Sequence, residues 1–301
     1  MKILITGATG LIGQELVAVF LEKGHTVNYL TTSKDKIISK DNYFGYYWNP
    51  NENSIDENCF INVDIIIHLA GASIAKRWTA AYKKEIIDSR INTAALLYKT
   101  LNNNPHQVKQ IISASGTAIY PESEFEFYDE SAKSTEQNFL ASVVTKWEES
   151  VDAFQKLGIK VCKLRTGVVF ANNGGALPEM VKPIKVGFGA LMGNGKQIQS
   201  WIHCKDLIHL YYFAFQNQLE GVFNAVAPNP VSNAELTKTI AKTIRKPLFM
   251  PNIPQFLMKF ILGEMSILLF SSKNISSKKI QNLGFRFIFP TCKEAIEDLY
   301  K

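Results

Sequence analysis

The sequence predicts an α/β fold: a doubly wound parallel sheet followed by a small, mainly helical lobe. Three observations predict it. Short β-rich runs alternate with helical patterns over the first 165 residues, a rhythm that calls for crossover connections and a parallel sheet. A glycine-rich turn joins the first run to the first helical pattern. Residues 229–301 read as helical and are punctuated by Pro228, Pro230, Pro247, Pro251 and Pro254.

Lys2 to Thr6 is the first strand. The helix of about Gly10 to Lys23 keeps its period through Leu11, Ile12, Leu16, Val19 and Phe20, and Gly24 stops it. His25 to Thr31 is the second strand. Val63 to Leu69 is nearly all apolar, as a parallel strand covered on both faces should be. A helix at about Ala80 to Asn102 leads to a strand at Val108 to Ala114. The next helix, Phe139 to Leu157, sets Leu140, Val143, Val144, Trp147, Val151 and Phe154 on one side and ends at Gly158, before a strand at Ile159 to Arg165. Residues 171–200 are glycine-rich and read as a loop insertion folding over the sheet's carboxyl edge. Trp201 to Gln218 resumes a helical pattern, and Gly221 to Ala225 makes a last strand. The expected domains are therefore 1–228, including the 171–200 insertion, and 229–301.

Hydrophobic residues form 46% of the 301 and charged residues 20%, enough apolar material for a sizeable core, so wholesale disorder is excluded. A net charge of +6 without a basic cluster gives no nucleic-acid footprint. Met1-Lys2 runs straight into a strand rather than a secretory signal, and Phe256 to Phe270 is broken by Lys259, Gly263 and Glu264, against a membrane span. Cys59, Cys162, Cys204 and Cys292 are far apart, and the five histidines are dispersed. A reduced, cytoplasmic protein without a metal site is expected, as monomer or homodimer.

The strongest local signal is Thr6-Gly7-Ala8-Thr9-Gly10-Leu11-Ile12-Gly13, between a strand and a helix. Gly7 allows the tight exit from the strand, Gly10 a close approach of backbone to a diphosphate, and Gly13 the packing of helix on sheet. The free N–H groups and dipole of the helix start favour phosphate, so Gly7, Thr9, Gly10, Leu11, Ile12 and Gly13 are expected to hold a dinucleotide on a Rossmann-type sheet. An NAD-preferring site wants a carboxylate at the end of the second strand. Here stand Thr31-Thr32-Ser33-Lys34, which suit a 2′-phosphate, and NADP is favoured over NAD.

These features resemble the extended short-chain dehydrogenase/reductase superfamily. More closely, the chain is similar to the atypical YfcH-like "epimerase family" proteins of the NAD-dependent epimerase/dehydratase superfamily. The resemblance rests on His68-Leu69-Ala70-Gly71-Ala72, Arg77-Trp78, Lys84-Glu85-Ile86-Ile87-Asp88-Ser89-Arg90, Ser113-Ala114-Ser115, Leu164-Arg165-Thr166-Gly167-Val168-Val169, and Trp201-Ile202-His203 with Asp206. Gly263-Glu264 and Gly284-Phe285 resemble the family's small C-terminal domain of unknown function. The resemblance implies that Leu69 and Ala70 lie against the adenosine half, that Glu85 and Arg90 approach the cofactor, that Val168 borders the nicotinamide, and that Gly71 and Ser113 also belong to the cofactor site. Strand-end packing is the other reading of Leu69 and Ala70, and a solvated helix charge that of Arg90. Many relatives carry Arg at the position of Thr32, and this chain departs from them.

Short-chain dehydrogenases usually move a proton with a Tyr whose pKa is lowered by a Lys four residues on. No Tyr of this sequence has Lys at that spacing, and Leu140 and Val144 stand where the pair belongs. Ser115 sits where the superfamily's substrate-binding hydroxyl lies, and Tyr120 is the candidate proton donor. A loop cap and a packed ring are their structural alternatives. Arg77 and Trp78, past a strand's carboxyl end, suit a substrate or a cation–π pair. Gln197 and His203 belong to a segment resembling the substrate closure of sugar-nucleotide epimerases, although a lone His next to a helix start, as His203 is, more often has a structural role. The expected activity is an oxidoreductase or nucleoside-diphosphate-sugar epimerase-like reaction on a small carbonyl or alcohol substrate, sugar-nucleotide-like in kind. The rival is a non-catalytic, redox-responsive dinucleotide-binding adaptor.

Overall fold

The computed structural model describes residues 1–133 and 135–301. They divide into two compact units interleaved along the chain: residues 1–115, 142–164 and 208–222, and residues 116–141, 165–207 and 223–301.

The first unit opens with β1 (Lys2–Thr6), α1 (Leu11–Glu22) and β2 (Thr26–Thr31), each within a residue of expectation. α1 buries Gly13, Leu16, Val17 and Phe20. Then come β3 (Ser39–Lys40), β4 (Tyr43–Asn49) and β5 (Ser54–Ile55), none of them anticipated. β4 matters most, because it extends the sheet by pairing parallel with β2. β6 (Ile65–His68) is wholly buried. α2 (Ala80–Asn103) is capped by Thr79, whose hydroxyl accepts from the Tyr82 N–H. β7 (Gln110–Gly116), α3 (Phe139–Asp152) and β8 (Lys160–Thr166) follow, and Gly158, at φ +72°, ends the 3-10 turn that prolongs α3. Leu4, Ile66, Ile111 and Val161 of the strands pack with Leu97 and Leu101 of α2, with Trp147 and Val151 of α3, and with Phe154 of the 3-10 turn after it.

The remaining elements are β9 (Val168–Phe170), α4 (Ala176–Lys185), β10 (Ile198–Gln199), β11 (Trp201–His203), α5 (Cys204–Gln216), β12 (Gly221–Ala225) and β13 (Val231–Ser232). After them come α6 (Asn233–Thr243), α7 (Gln255–Leu262), α8 (Ile267–Phe270), α9 (Lys278–Asn282) and α10 (Cys292–Tyr300). Two expectations are corrected. The 171–200 segment is not all loop, for α4 buries Leu177, Val181 and Ile184. Trp201 to Gln218 does not start as helix: Trp201, Ile202 and His203 are all buried in β11, paired parallel with β9, and the helix begins at Cys204. Three consecutive buried side chains need an extended segment covered on both faces. The second unit's core joins Phe170, Leu177, Val181, Trp201, Leu236, Ile240, Ala295 and Ile296.

The main sheet runs β12-β8-β7-β6-β1-β2-β4-β3, with β5 beside β4. β7–β6, β6–β1, β1–β2 and β2–β4 pair parallel, and β3 and β5 run antiparallel to β4. From β1 the chain goes to β2 on one side and later to β6 on the other. The strand order reverses there, and the crevice outside the carboxyl ends of β1 and β6 is where such a sheet takes ligands.

Candidate functional site

Gly7 leaves β1 at φ +70°, a conformation costly for any side chain, and its carbonyl accepts from the Gly10 N–H at 3.0 Å. A Cβ on Gly13 would stand 2.2 Å from that same carbonyl oxygen, so only glycine lets α1 start so close to the turn. Gly10 caps α1 without a side-chain hydrogen bond, and the Gln14 N–H to Gly10 carbonyl bond, 3.0 Å, begins the helical series. The Leu11, Ile12 and Gly13 amides precede that series and remain for an anion, with Thr9 and Gly10 exposed beside them. This donor set fits a diphosphate.

Behind the turn, Thr6 Oγ1 accepts from the N–H groups of Leu69 and Ala70, both at 3.1 Å, and lies 2.9 Å from His68 Nδ1. The start of the segment after β6 is thereby fixed to the end of β1. A Cβ on Gly71 would come 3.1 Å from the Arg90 guanidinium carbon. Arg90 donates to the Ile86 carbonyl at 2.9 Å and the Ala72 carbonyl at 3.2 Å, and its guanidinium lies 4.8 Å from the Trp147 ring centre. Burial lowers its pKa to about 10, leaving it cationic at neutral pH. Ser113 is buried on β7 opposite His68, whereas Glu85 is exposed.

At the end of β2, Thr31 is buried and its hydroxyl accepts from the Ser33 N–H at 3.2 Å. Thr32 and Lys34 are exposed, with Lys34 Nζ 5.0 Å from the Tyr47 ring centre. Tyr47 lies opposite Thr31 on the unanticipated β4.

The candidate proton groups are engaged. Ser115 Oγ donates to Glu148 Oε1 at 2.6 Å. Lys163 Nζ stands 3.7 Å from Glu148 Oε2 and grips both oxygens of Asp152, at 2.7 and 2.8 Å. In the second unit, the buried Tyr120 hydroxyl donates to Asn224 Oδ1 at 2.7 Å and accepts from Arg165 Nη1 at 2.9 Å. Burial pushes its pKa up to about 12, although Arg165 pulls the other way. Val168 pairs with Trp201. Gln197 is buried and donates to the Met192 and Leu269 carbonyls at 3.0 and 3.2 Å. His203 accepts from the Lys205 N–H at 3.1 Å, stacks against Phe289 with ring centres 4.0 Å apart, and has Nε2 3.3 Å from Asp298. Arg77 is exposed, and Trp78 donates to the Ile74 carbonyl at 2.9 Å. Sequence reasoning missed the Thr6–His68 junction and the Glu148–Lys163–Asp152 cluster. Only strand pairing and helix rotation bring their members together.

The model of the NAD dependent epimerase/dehydratase family matches residues 3–226. The chain belongs to that family. A domain of unknown function, DUF1731, matches residues 253–299. An epimerase family protein of Staphylococcus aureus (strain N315) is 36% identical over 303 residues, covering 99% of this chain and 98% of that protein. Among solved structures, the human epimerase family protein SDR39U1 (isoform 2) with NADPH superposes with a TM-score of 0.86 at 27% identity, covering 100% of this chain and 99% of its own. A nucleoside-diphosphate sugar epimerase from Corynebacterium glutamicum has a TM-score of 0.78 at 27% identity, covering 100% of this chain and 58% of that one.

Proposed function

We propose that this protein binds NADP(H) and is an oxidoreductase or epimerase-like enzyme acting on a carbonyl or alcohol carbon of a small, sugar-nucleotide-like substrate. The observation that carries the reading is the turn at Gly7, Gly10 and Gly13, which sets the uncapped start of α1 at the reversal between β1 and β6. Its amides would hold the diphosphate, Arg90 and the Leu69–Gly71 segment would border the adenosine half, and Thr32 and Lys34 would face the 2′-phosphate. Bound, the cofactor would supply hydride transfer. NADPH in the human relative supports the same cofactor here. No disulfide joins the four cysteines, which suits a reducing, cytoplasmic setting.

Fluorescence titration with NADPH and NADH tests the binding. NADPH is expected to bind more tightly, and Gly10→Asp to abolish binding in a folded protein by setting a carboxylate against the diphosphate. Lys34→Glu should weaken NADPH by about tenfold and leave NADH nearly unchanged, since one charge contact on the 2′-phosphate is worth about 1.4 kcal/mol. Normal NADPH binding by Gly10→Asp overturns the assignment.

One observation favours a second reading, the non-catalytic adaptor. The Ser115 and Tyr120 hydroxyls both have buried partners, and no Tyr has its Lys. Stopped-flow mixing of bound NADPH with a panel of carbonyl compounds separates the two. Oxidation by any member supports the enzyme, whereas tight binding without oxidation supports the adaptor.

A further inference from the structure

We propose that two loop tips and α7 of the second unit form a docking surface for an anionic lipid bilayer. α7 reads Gln-Phe-Leu-Met-Lys-Phe-Ile-Leu, and not one of its residues is buried. A helix so apolar is ordinarily packed against something. The chain before it is exposed in the same way. Phe188, Phe249, Phe256 and Phe260 are each between 65% and 89% exposed. The tips that carry the first two run side by side. A Cβ on Gly187 would lie 4.0 Å from the Phe249 ring, one on Gly189 would lie 2.7 Å from Leu248 Cδ2, and the Ile253 N–H donates to the Leu191 carbonyl at 2.8 Å.

Charge selects the occupant. Residues 236–263 contain Lys238, Lys242, Arg245, Lys246 and Lys259 and no carboxylate, and residues 180–201 contain Lys182, Lys185 and Lys196 and again none. Lys182 pairs with Glu179, while Arg245, Lys246 and Lys259 are exposed alongside the phenylalanines. Aromatic and aliphatic side chains flanked by cations are the composition of segments that lie in a membrane interface, the rings among the acyl chains and the cations on lipid phosphates and carboxylates. A two-fold contact with a second copy would set these cations against themselves, whereas an anionic bilayer complements them. No described helix is long and apolar enough to cross a membrane, so the attachment is peripheral.

Flotation of the full chain with phosphatidylcholine vesicles, with and without about 30% phosphatidylserine, tests this. The chain should float with the serine-containing vesicles and at least about tenfold less with phosphatidylcholine alone, and raising salt from about 0.1 to about 0.5 M should weaken the attachment. Phe249→Ser/Phe256→Ser/Phe260→Ser should lose it, and Arg245→Glu/Lys246→Glu should lose the preference for phosphatidylserine. Both variants alter exposed residues and should keep the wild-type circular dichroism. Absence of wild-type flotation, or flotation unchanged in both variants, overturns the proposal. So does a wild-type dimer in sedimentation velocity that the phenylalanine variant converts to monomer, because a second copy then covers the surface.

Discussion

Thr6 Oγ1 has two lone pairs and one proton, and the N–H groups of Leu69 and Ala70 occupy both lone pairs. The proton is left for His68 Nδ1, 2.9 Å away, so His68 carries its own hydrogen on Nε2, facing Thr93 Oγ1 at 3.4 Å. Thr93 in turn donates to the Ser89 carbonyl at 2.7 Å. A neutral imidazole satisfies this chain of donors and a cation does not. Complete burial, reinforced by Arg90, lowers the His68 pKa from 6.5 to about 4. Between those values the unfolded chain binds a proton that the folded one refuses. The stabilisation is therefore full above pH 6.5 and is lost as the pH falls towards 4. Urea unfolding at pH 7 and pH 5 should show a loss on the order of 2 kcal/mol from this residue, and His68→Asn should flatten the slope by that amount while lowering stability at pH 7. Of this junction the sequence showed the glycines, because an open φ and a missing Cβ constrain residue type directly. Thr6 and His68 are ordinary strand residues until pairing sets them opposite each other.

At the scale of elements, legibility followed periodicity. β1, α1 and β12 were read almost to the residue because apolar runs and glycine stops mark their ends. β4 was missed because Gly45 breaks an aromatic run that otherwise has strong β preference. The structure gives the reason for that glycine. Tyr29, stacked on Tyr43 with ring centres 4.4 Å apart, fills the space of its side chain, and a Cβ would lie 2.5 Å from the Tyr29 hydroxyl. The hydroxyl is itself fixed, donating to the Lys36 carbonyl at 2.6 Å and accepting from the Ile38 N–H at 2.8 Å. Gly45→Ala should therefore lower stability by about 2 kcal/mol, the usual cost of overfilling a packed site, and Tyr29→Phe/Gly45→Ala should not restore it, because ring carbon Cζ is as close as the oxygen. Thermal unfolding of the single and double variants checks both outcomes. α3 was equally legible as a helix, yet its chemistry was not. Its amphipathic face was clear, but the Ser115–Glu148–Lys163 arrangement depends on β7, α3 and β8 meeting.

Across the whole molecule, each compact unit is assembled from three stretches of chain, so side chains that look local in sequence serve distant backbone. Trp201-Ile202-His203 with Asp206 read as a substrate-side segment. The structure gives Asp206 another task that its neighbours in sequence could not announce. Fully buried, it accepts from the N–H groups of Ile288 at 2.7 Å and Phe289 at 3.0 Å. His203 and Lys205 meet Asp298 from the same segment, and Thr291 and Glu294 cap α10 reciprocally just beyond the gripped amides. The approach to α10 is thus gripped at two adjacent amides by one buried carboxyl group, with Asn229 donating to the Pro290 carbonyl beside it at 3.0 Å. Asp206→Ala should cost about 3 kcal/mol, and Asp206→Asn, which keeps one acceptor oxygen, roughly half of that. Hydrogen exchange locates the effect. Residues 288–300 should exchange faster in Asp206→Ala while the amides of β1 and β6 keep their protection, because the bonds to Ile288 and Phe289 hold the C-terminal segment. Equal acceleration in both regions would mean that the carboxylate supports the whole fold rather than this one attachment.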